Sequence, residues 1–297
     1  MKSLLLSSFL ASTSLAAVIQ RDATTSAIWQ PTLGAKWQII LRSVPLLTSG
    51  LTPNDAEIWD VDLFDTPTDT IKALKQAGKK VICYFSAGTS EDWRDDYDQF
   101  QQADKGSCMG DWVGERWLDT RQENVFNIMK KRIQLAKTKG CDAIDPDNMD
   151  GFTNNNGLGL DRVSGIKYMR RLAKEAASQG LSTGLKNAQA FLPDVANDVA
   201  FAVNEQCASF EGDCESYKSL TALSKPIFHI EYSLTGDALK NALCLTGTPS
   251  QSSTFSTVLK TMDLDGFVLY CDGGNNGNDP IDPSEKPNDP ENPQRSS

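Results

Sequence analysis

The sequence predicts a (β/α)8 barrel forming a single α/β domain, and three observations predict it. Eight apolar, β-rich runs recur along the chain, segments of helical periodicity separate most of them, and nearly every run ends in polar residues after an apolar body. Continuous apolar strands alternating with helices imply a parallel sheet covered by helices, and eight units imply closure into a barrel. An open doubly wound sheet is the alternative, but no Gly-x-Gly-x-x-Gly turn follows the first strand.

The expected strands are 37–41, 58–64, 80–85, 142–147, 182–187, 199–205, 226–232 and 266–272, and helical patterns fall at 68–77, 123–139, 161–178, 192–198, 217–223, 237–243 and 254–262. The first crossover carries Pro45, Gly50 and Pro53 without helical period, so its helix is expected to be short or missing. Thr120-Arg121-Gln122-Glu123 has the form of a capping box opening the helix that Gly140 closes, and Gly180 closes the next. A long loop, 86–120, follows the third strand and contains Trp93, Trp112 and Trp117. Loops of that length are functional or disordered, and three tryptophans argue against disorder.

Residues 1–17 combine one lysine, an apolar centre and a small-residue end, the pattern of a secretory signal peptide too short to span a bilayer. Its removal takes Lys2 and no acid, moving the net charge from −10 to −11. Residues 18–272 then form the catalytic barrel, and 273–297, rich in Pro, Asn and Asp, a disordered acidic tail. A secreted, monomeric protein without a membrane partner is expected. The acidic balance argues against nucleic acid and favours a cationic or neutral partner. Seven cysteines in an exported chain point to disulfides, expected as Cys207–Cys214 and Cys244–Cys271, while Cys83 and Cys141 read as small buried hydrophobes within strands.

His229 is the only histidine, which argues against a Ser-His-acid triad and a histidine-rich zinc site. Asp145 to Gly151 looks like a calcium loop, but Met149 holds the fifth ligand position and Asn156 stands where a bidentate Glu is needed. No metal and no cofactor are expected, which leaves carboxylates to do the chemistry. Glycoside hydrolysis needs two of them, one protonated and one ionised, flanking the scissile bond. Period-two alternation puts Ala143, Asp145 and Asp147 on one strand face, and Phe201, Val203 and Glu205 on one face of another. Glu231, sharing a face with Ile227 and His229, is a third candidate.

The blocks Trp59-Asp60-Val61-Asp62-Leu63-Phe64-Asp65, Tyr84-Phe85-Ser86-Ala87-Gly88, Gly114-Glu115-Arg116-Trp117-Leu118-Asp119, Asp145-Pro146-Asp147-Asn148-Met149-Asp150-Gly151, Gly184-Leu185-Lys186-Asn187, Asn204-Glu205-Gln206-Cys207 and Ile230-Glu231-Tyr232 resemble glycoside hydrolase family 114. The resemblance implies a barrel fold, an endo-α-1,4-polygalactosaminidase activity and Asp147 with Glu205 as the catalytic pair, with Asp147 as nucleophile and Glu205 as general acid/base. Strand ends and matched blocks together give Asp62, Tyr84, Asp145, Asn148, Lys186, Asn187, Glu231 and Tyr232 as substrate-binding candidates. Lys186 is expected to pair with acids such as Asp145 or Glu231 and hold a carboxylate ionised. The expected function is secreted hydrolysis of α-1,4-linked galactosamine in an extracellular polysaccharide of galactosaminogalactan type. Another α-glycan as substrate, and a non-catalytic carbohydrate-binding barrel, are the alternatives.

Overall fold

The computed structural model describes residues 27–47, 53–110, 112–210, 212–232, 255–270 and 277–278. The expected signal peptide, the 237–243 helix, the Cys244–Cys271 pair and all of the expected tail except 277–278 lie outside the described residues. In chain order the elements are β1 (Trp37–Ile40), β2 (Ile58–Asp62), α1 (Thr68–Gln76), β3 (Lys80–Ser86), β4 (Thr89–Glu91), β5 (Lys105–Met109), β6 (Trp112–Leu118), α2 (Glu123–Lys139) and β7 (Ala143–Asp147). They continue with α3 (Arg162–Ser178), β8 (Ser182–Lys186), α4 (Leu192–Val195), β9 (Phe201–Glu205), α5 (Lys218–Thr221), β10 (Ile227–Tyr232), β11 (Phe255–Lys260), β12 (Phe267–Tyr270) and β13 (Gly277–Asn278).

Eight strands pair in parallel in the order β1-β2-β3-β7-β8-β9-β10-β11, and β12 adds antiparallel to β11. The architecture is therefore the expected barrel, nearly closed, with one local reversal. Segment 254–262, read as a helix, supplies the eighth parallel strand, and the run read as the eighth strand is the antiparallel β12. The cause is visible in the residues. Phe255, Val258, Leu259 and Met262 fall at helical spacing, yet β11 is buried on both faces, so burial imposes no alternation that separates the two periods.

Elsewhere alternation sorts the side chains into two layers. Ile39, Ile58, Ile82, Phe201, Phe228 and Val258 fill the barrel interior, while Trp59, Val61, Val81, Ile144 and Leu185 pack against α1, α2 and α3. In the interior Gly184 makes room for an aromatic ring: a Cβ there would stand 2.3 Å from Phe201. The capping box expected before α2 does not form. The helix starts after Gln122 without a side-chain cap, and Asp119 instead accepts from the Arg121 N–H at 3.1 Å and from Gln122 Nε2 at 3.1 Å. Gly140 closes α2 at φ 99°, as its sequence position indicates.

The circle is completed between β1 and the β11–β12 hairpin by one main-chain hydrogen bond, from the Leu41 N–H to Leu264 O at 2.9 Å, and by side chains. Gln38 Nε2 donates to the Gly266 carbonyl at 3.0 Å, Trp37 Nε1 to Ser256 O at 2.8 Å, and Tyr270 Oη to Trp37 O at 2.9 Å. Lys260 Nζ reaches Gln38 Oε1 at 2.8 Å. No ladder joins β1 to β11 or β12 among the described residues.

Two disulfides are present among the described residues. Cys207–Cys214 pairs as expected, but Cys83 and Cys141 are bonded to each other, rather than being separate buried thiols. They lie on β3 and just before β7, neighbouring strands whose register brings Cys83 opposite Ile144. Fifty-eight positions apart in sequence, they become neighbours only once the parallel crossover is known. Cys108 is free and exposed.

The 86–120 segment is ordered as a second, three-stranded antiparallel sheet, β4-β6-β5, standing over the barrel mouth. Arg94 anchors it. Its guanidinium, 4% exposed, binds both oxygens of Asp62 at 2.6 and 3.2 Å, Asp65 at 3.2 Å and Glu91 at 3.1 Å. Burial alone would discharge this arginine, but the charges of Asp62, Glu91 and Asp65 hold its pKa well above the usual value.

Candidate active site

The C-terminal ends of the parallel strands and the three-stranded sheet enclose a cleft of about 280 Å³. Asp147 ends β7 and Glu205 ends β9, the fourth and sixth strands of the parallel order, and both line it. Between them stands Lys186, the last residue of β8, only 3% exposed. Its Nζ lies 2.6 Å from Glu205 Oε2 and 3.5 Å from Asp147 Oδ2. The two carboxylate oxygens can therefore be no farther apart than those distances laid end to end, about 6 Å.

Each acid is held by its own donors. Asp147 accepts from Tyr84 Oη at 2.8 Å and from the Asn148 N–H at 2.7 Å. Glu205 accepts from Lys186, from Asn187 Nδ2 at 2.8 Å and from Tyr232 Oη. Asn187 also takes the Glu205 N–H on its own carbonyl at 2.9 Å, so one amide fixes both backbone and side chain. Asn148 and Asn187 follow their strands in left-handed conformation, φ 60° and 49°, which asparagine tolerates better than most residues. Asn148 in turn donates to Ser86 and Thr89 at 3.2 and 2.9 Å. The chain at Gly88 passes so close that a Cβ there would stand 1.7 Å from the Asn148 carbonyl oxygen.

The electrostatics follow from burial against this donor set. Burial would raise the Glu205 pKa, but the Lys186 ammonium and the hydrogen bonds from Lys186, Tyr232 and Asn187 outweigh it and hold the carboxyl below its usual range. Burial would discharge Lys186, but Asp147 and Glu205 keep it charged, well above the usual lysine value. Burial and the Asp147 charge push the Tyr84 hydroxyl up, so it remains a donor.

Tyr84, Asn148, Lys186, Asn187 and Tyr232 thus meet Asp147 and Glu205 in one cleft, as their positions at strand ends indicate. Three other expected residues do not reach it. Asp62 is engaged by Arg94 and by the N–H groups of Phe64 and Asp65, both at 2.8 Å, so it braces the second sheet. Asp145 is fully buried below the cleft floor. Glu231 points outward, because Phe228, Ile230 and Tyr232 take the inner face of β10. It is bound by His229 and the Ala208 N–H at 2.8 and 2.7 Å and by Ser209 Oγ at 2.8 Å. The Lys186 partners are Asp147 and Glu205, and Glu231 is not among them.

The sequence reading missed Glu91, Glu115, Asp150 and Asp263, which also line the cleft. Glu91 and Glu115 lie in the segment read as loop, where strand alternation was not applied; they are direct partners across β4 and β6. Of the three loop tryptophans, Trp93 and Trp112 line the cleft, while Trp117 is buried. Cys207, Cys214 and His229 converge as metal ligands would, but the two sulfurs are spent on a disulfide, so the trio does not fit an ion. No described helix is long and apolar enough to cross a membrane.

Comparison with known proteins agrees with this geometry. The sequence model of glycoside-hydrolase family GH114 matches residues 18–276. The crystal structure of Aspergillus fumigatus Ega3 in complex with galactosamine superposes with a TM-score of 0.77 at 43% identity, covering 83% of this chain and 98% of that one. The glycoside hydrolase domain of PelA from Pseudomonas aeruginosa shares the fold, with a TM-score of 0.61 at 16% identity over 80% of this chain and 98% of its own. No curated protein sequence gives a significant match. With more than four-fifths of its length matched by the family and the barrel mouth built around paired carboxylates, the chain belongs to glycoside-hydrolase family GH114 and is a glycoside hydrolase.

Proposed function

We propose that this protein is exported and cuts α-1,4-linked galactosamine polymers internally, with Asp147 and Glu205 as the catalytic pair. The observation that carries the reading is their convergence on Lys186 in one cleft, within about 6 Å of each other. Retaining glycosidases place their carboxyls roughly 5–5.5 Å apart and inverting ones roughly 6.5–9.5 Å apart. The spacing therefore favours retention through a glycosyl-enzyme intermediate. In this reaction Asp147 attacks the anomeric carbon, and Glu205 protonates the departing oxygen, then takes a proton from the incoming water.

A second reading exchanges the two roles, and one observation favours it: Lys186, Tyr232 and Asn187 hold Glu205 ionised, the state a nucleophile needs. Under the first reading, substrate entry must loosen those donors so that Glu205 takes up a proton.

An aminosugar polymer suits the walls. Glu91, Glu115, Asp147, Asp150, Glu205 and Asp263 line the cleft, against Arg42 and Lys186. A galactosamine chain carries ammonium groups, and Ega3, the similar structure, is in complex with galactosamine. Export is supported by the signal-like 1–17 segment and by the two disulfides. The test is to measure reducing ends released from deacetylated galactosaminogalactan, from its N-acetylated form and from neutral α-glycans. Cleavage confined to neutral α-glycans refutes the substrate, and binding without cleavage of any polymer refutes the activity.

Glu115 offers a sharper check on the substrate's charge. Burial, then the facing Glu91, push its carboxyl up to about 8, and Thr89 Oγ1 supplies its one hydrogen bond, at 2.7 Å. The proton this keeps on Glu115 at neutral pH spares the strands two like charges set directly opposite, and a ligand ammonium at this point would take that proton's place and leave the carboxylate as its partner. Glu115→Gln is expected to raise KM for the deacetylated polymer roughly tenfold, the loss of one charge-assisted hydrogen bond, while kcat changes little. Initial-rate kinetics on deacetylated and acetylated polymer check this, since only the first should respond.

A further inference from the structure

Beneath the catalytic pair lie two acids that the reaction above does not use. Asp60 on β2 and Asp145 on β7 are both fully buried. Alternation turns them inward, Asp60 with Ile58 and Asp145 with Ala143 and Asp147. Among the described residues, none of their four carboxyl oxygens receives a donor from another side chain or the backbone. Yet the two side chains lie in hydrogen-bonding contact with each other. Two carboxylates have no hydrogen to place between them, whereas one shared proton gives both groups a partner.

We propose that Asp60 and Asp145 share one proton, and that the single negative charge they keep fixes the Lys186 ammonium between Asp147 and Glu205. They are positioning residues, since neither lines the cleft. Lys186 is faced by Asp145 and Asp147 from β7, Asp60 from β2, Glu205 from β9, Tyr232 from β10, Asp150 beyond β7 and, at 5.8 Å, the Tyr84 ring from β3. A doubly ionised pair would set four carboxylates from three strands around one ammonium and draw it down, away from Glu205. An uncharged pair would leave the lysine to the catalytic acids alone. Burial pushes both carboxyls up, Asp60 against the opposing charge of Lys186 and Asp145 further under the charge of Asp60, in keeping with one proton held by the pair.

The inference rests on the catalytic reading above, and one measurement separates the two. In an infrared difference spectrum of wild type minus Asp60→Asn at pH 6.5, a protonated-carboxyl band is expected, because the introduced amide takes the place of the proton-bearing partner. Absence of that band overturns the shared proton whatever the enzyme cleaves. The functional arm compares kcat/KM between pH 4 and 9 for wild type, Asp60→Asn and the Asp60→Asn/Asp145→Asn double variant. The single variant keeps one charge and one hydrogen bond, so below pH 7 its activity should stay within about threefold of wild type, and it should lose the alkaline fall caused by departure of the shared proton. The double variant removes the charge below Lys186, which makes the catalytic acids more acidic and should move the acid limb down by more than about half a pH unit.

Stability adds a readout that does not need activity. Unfolded, both acids shed their protons at about pH 4, whereas the native pair retains one to higher pH, so stability falls as pH rises above that point. Asp60→Asn, which leaves Asp145 ionised against the introduced amide, should flatten that slope. Superimposable pH profiles for all three proteins, or a folded Asp60→Asn without activity at pH 6, overturn the proposal. Should the double variant fail to fold, the infrared band and the single variant's pH profile decide alone.

Discussion

Glu205→Gln and Asp147→Asn are each expected to lower kcat on deacetylated polymer by roughly 10³-fold or more, with the fold retained. Both changes preserve shape and leave acceptors for Tyr84, Asn187 and Tyr232, so the cleft keeps its geometry. What disappears is the capacity to attack or to carry a proton, and neither can be supplied by Lys186, which is held charged between the two acids. The kinetics also separate the roles. A galactosaminide whose leaving group needs no protonation should keep its first step in Glu205→Gln and lose it in Asp147→Asn. The opposite pattern exchanges nucleophile and acid/base, and full activity of either variant on polymer removes the mechanism.

The largest stability effect is expected from the Cys83–Cys141 disulfide. Closing a loop of 58 residues removes chain entropy from the unfolded state worth about 4 kcal/mol. The bond also joins β3 to the start of β7, the two strands that carry Tyr84 and Asp147, so its loss loosens the pairing that holds Asp147 against the Tyr84 hydroxyl. The Cys83→Ala/Cys141→Ala double variant should unfold at markedly lower denaturant with a steeper slope, because the uncrosslinked unfolded chain exposes more surface, and its activity should fail at a lower temperature than wild type. By contrast, the Cys207–Cys214 loop spans only 7 residues, and its removal should cost less. Denaturant titrations of the two variants side by side test that ordering.

Strand ends were legible because burial is one-sided in information. An apolar body followed by Asp147, Glu205, Lys186 or Tyr232 marks where the barrel interior gives way to solvent. Face was legible only where both neighbours in the alternation were informative. On β7 and β9 they were. On β10 the run Ile227 to Tyr232 is buried on both faces, so Glu231 and Tyr232 could each claim the interior, and the structure gives it to Tyr232. The β11 strand was lost for the same reason, with two buried faces imitating a helix. Arg94 escaped notice altogether because its role exists only after Asp62 and Asp65, at and just past the end of β2, are brought together with Glu91 of β4.

Seven of the barrel's sides are joined by backbone ladders, and the eighth by one main-chain bond, Leu41 N–H to Leu264 O, with side chains from Gln38, Trp37, Tyr270 and Lys260. The same edge supplies one lip of the cleft, through Leu41, Arg42, Met262, Asp263 and Leu264, with Arg42 and Asp263 paired at 2.5 Å. The seam and the lip are thus one structure, so Gln38→Ala or Lys260→Met, made in the barrel wall, should also disturb the groove through Leu41 and Leu264.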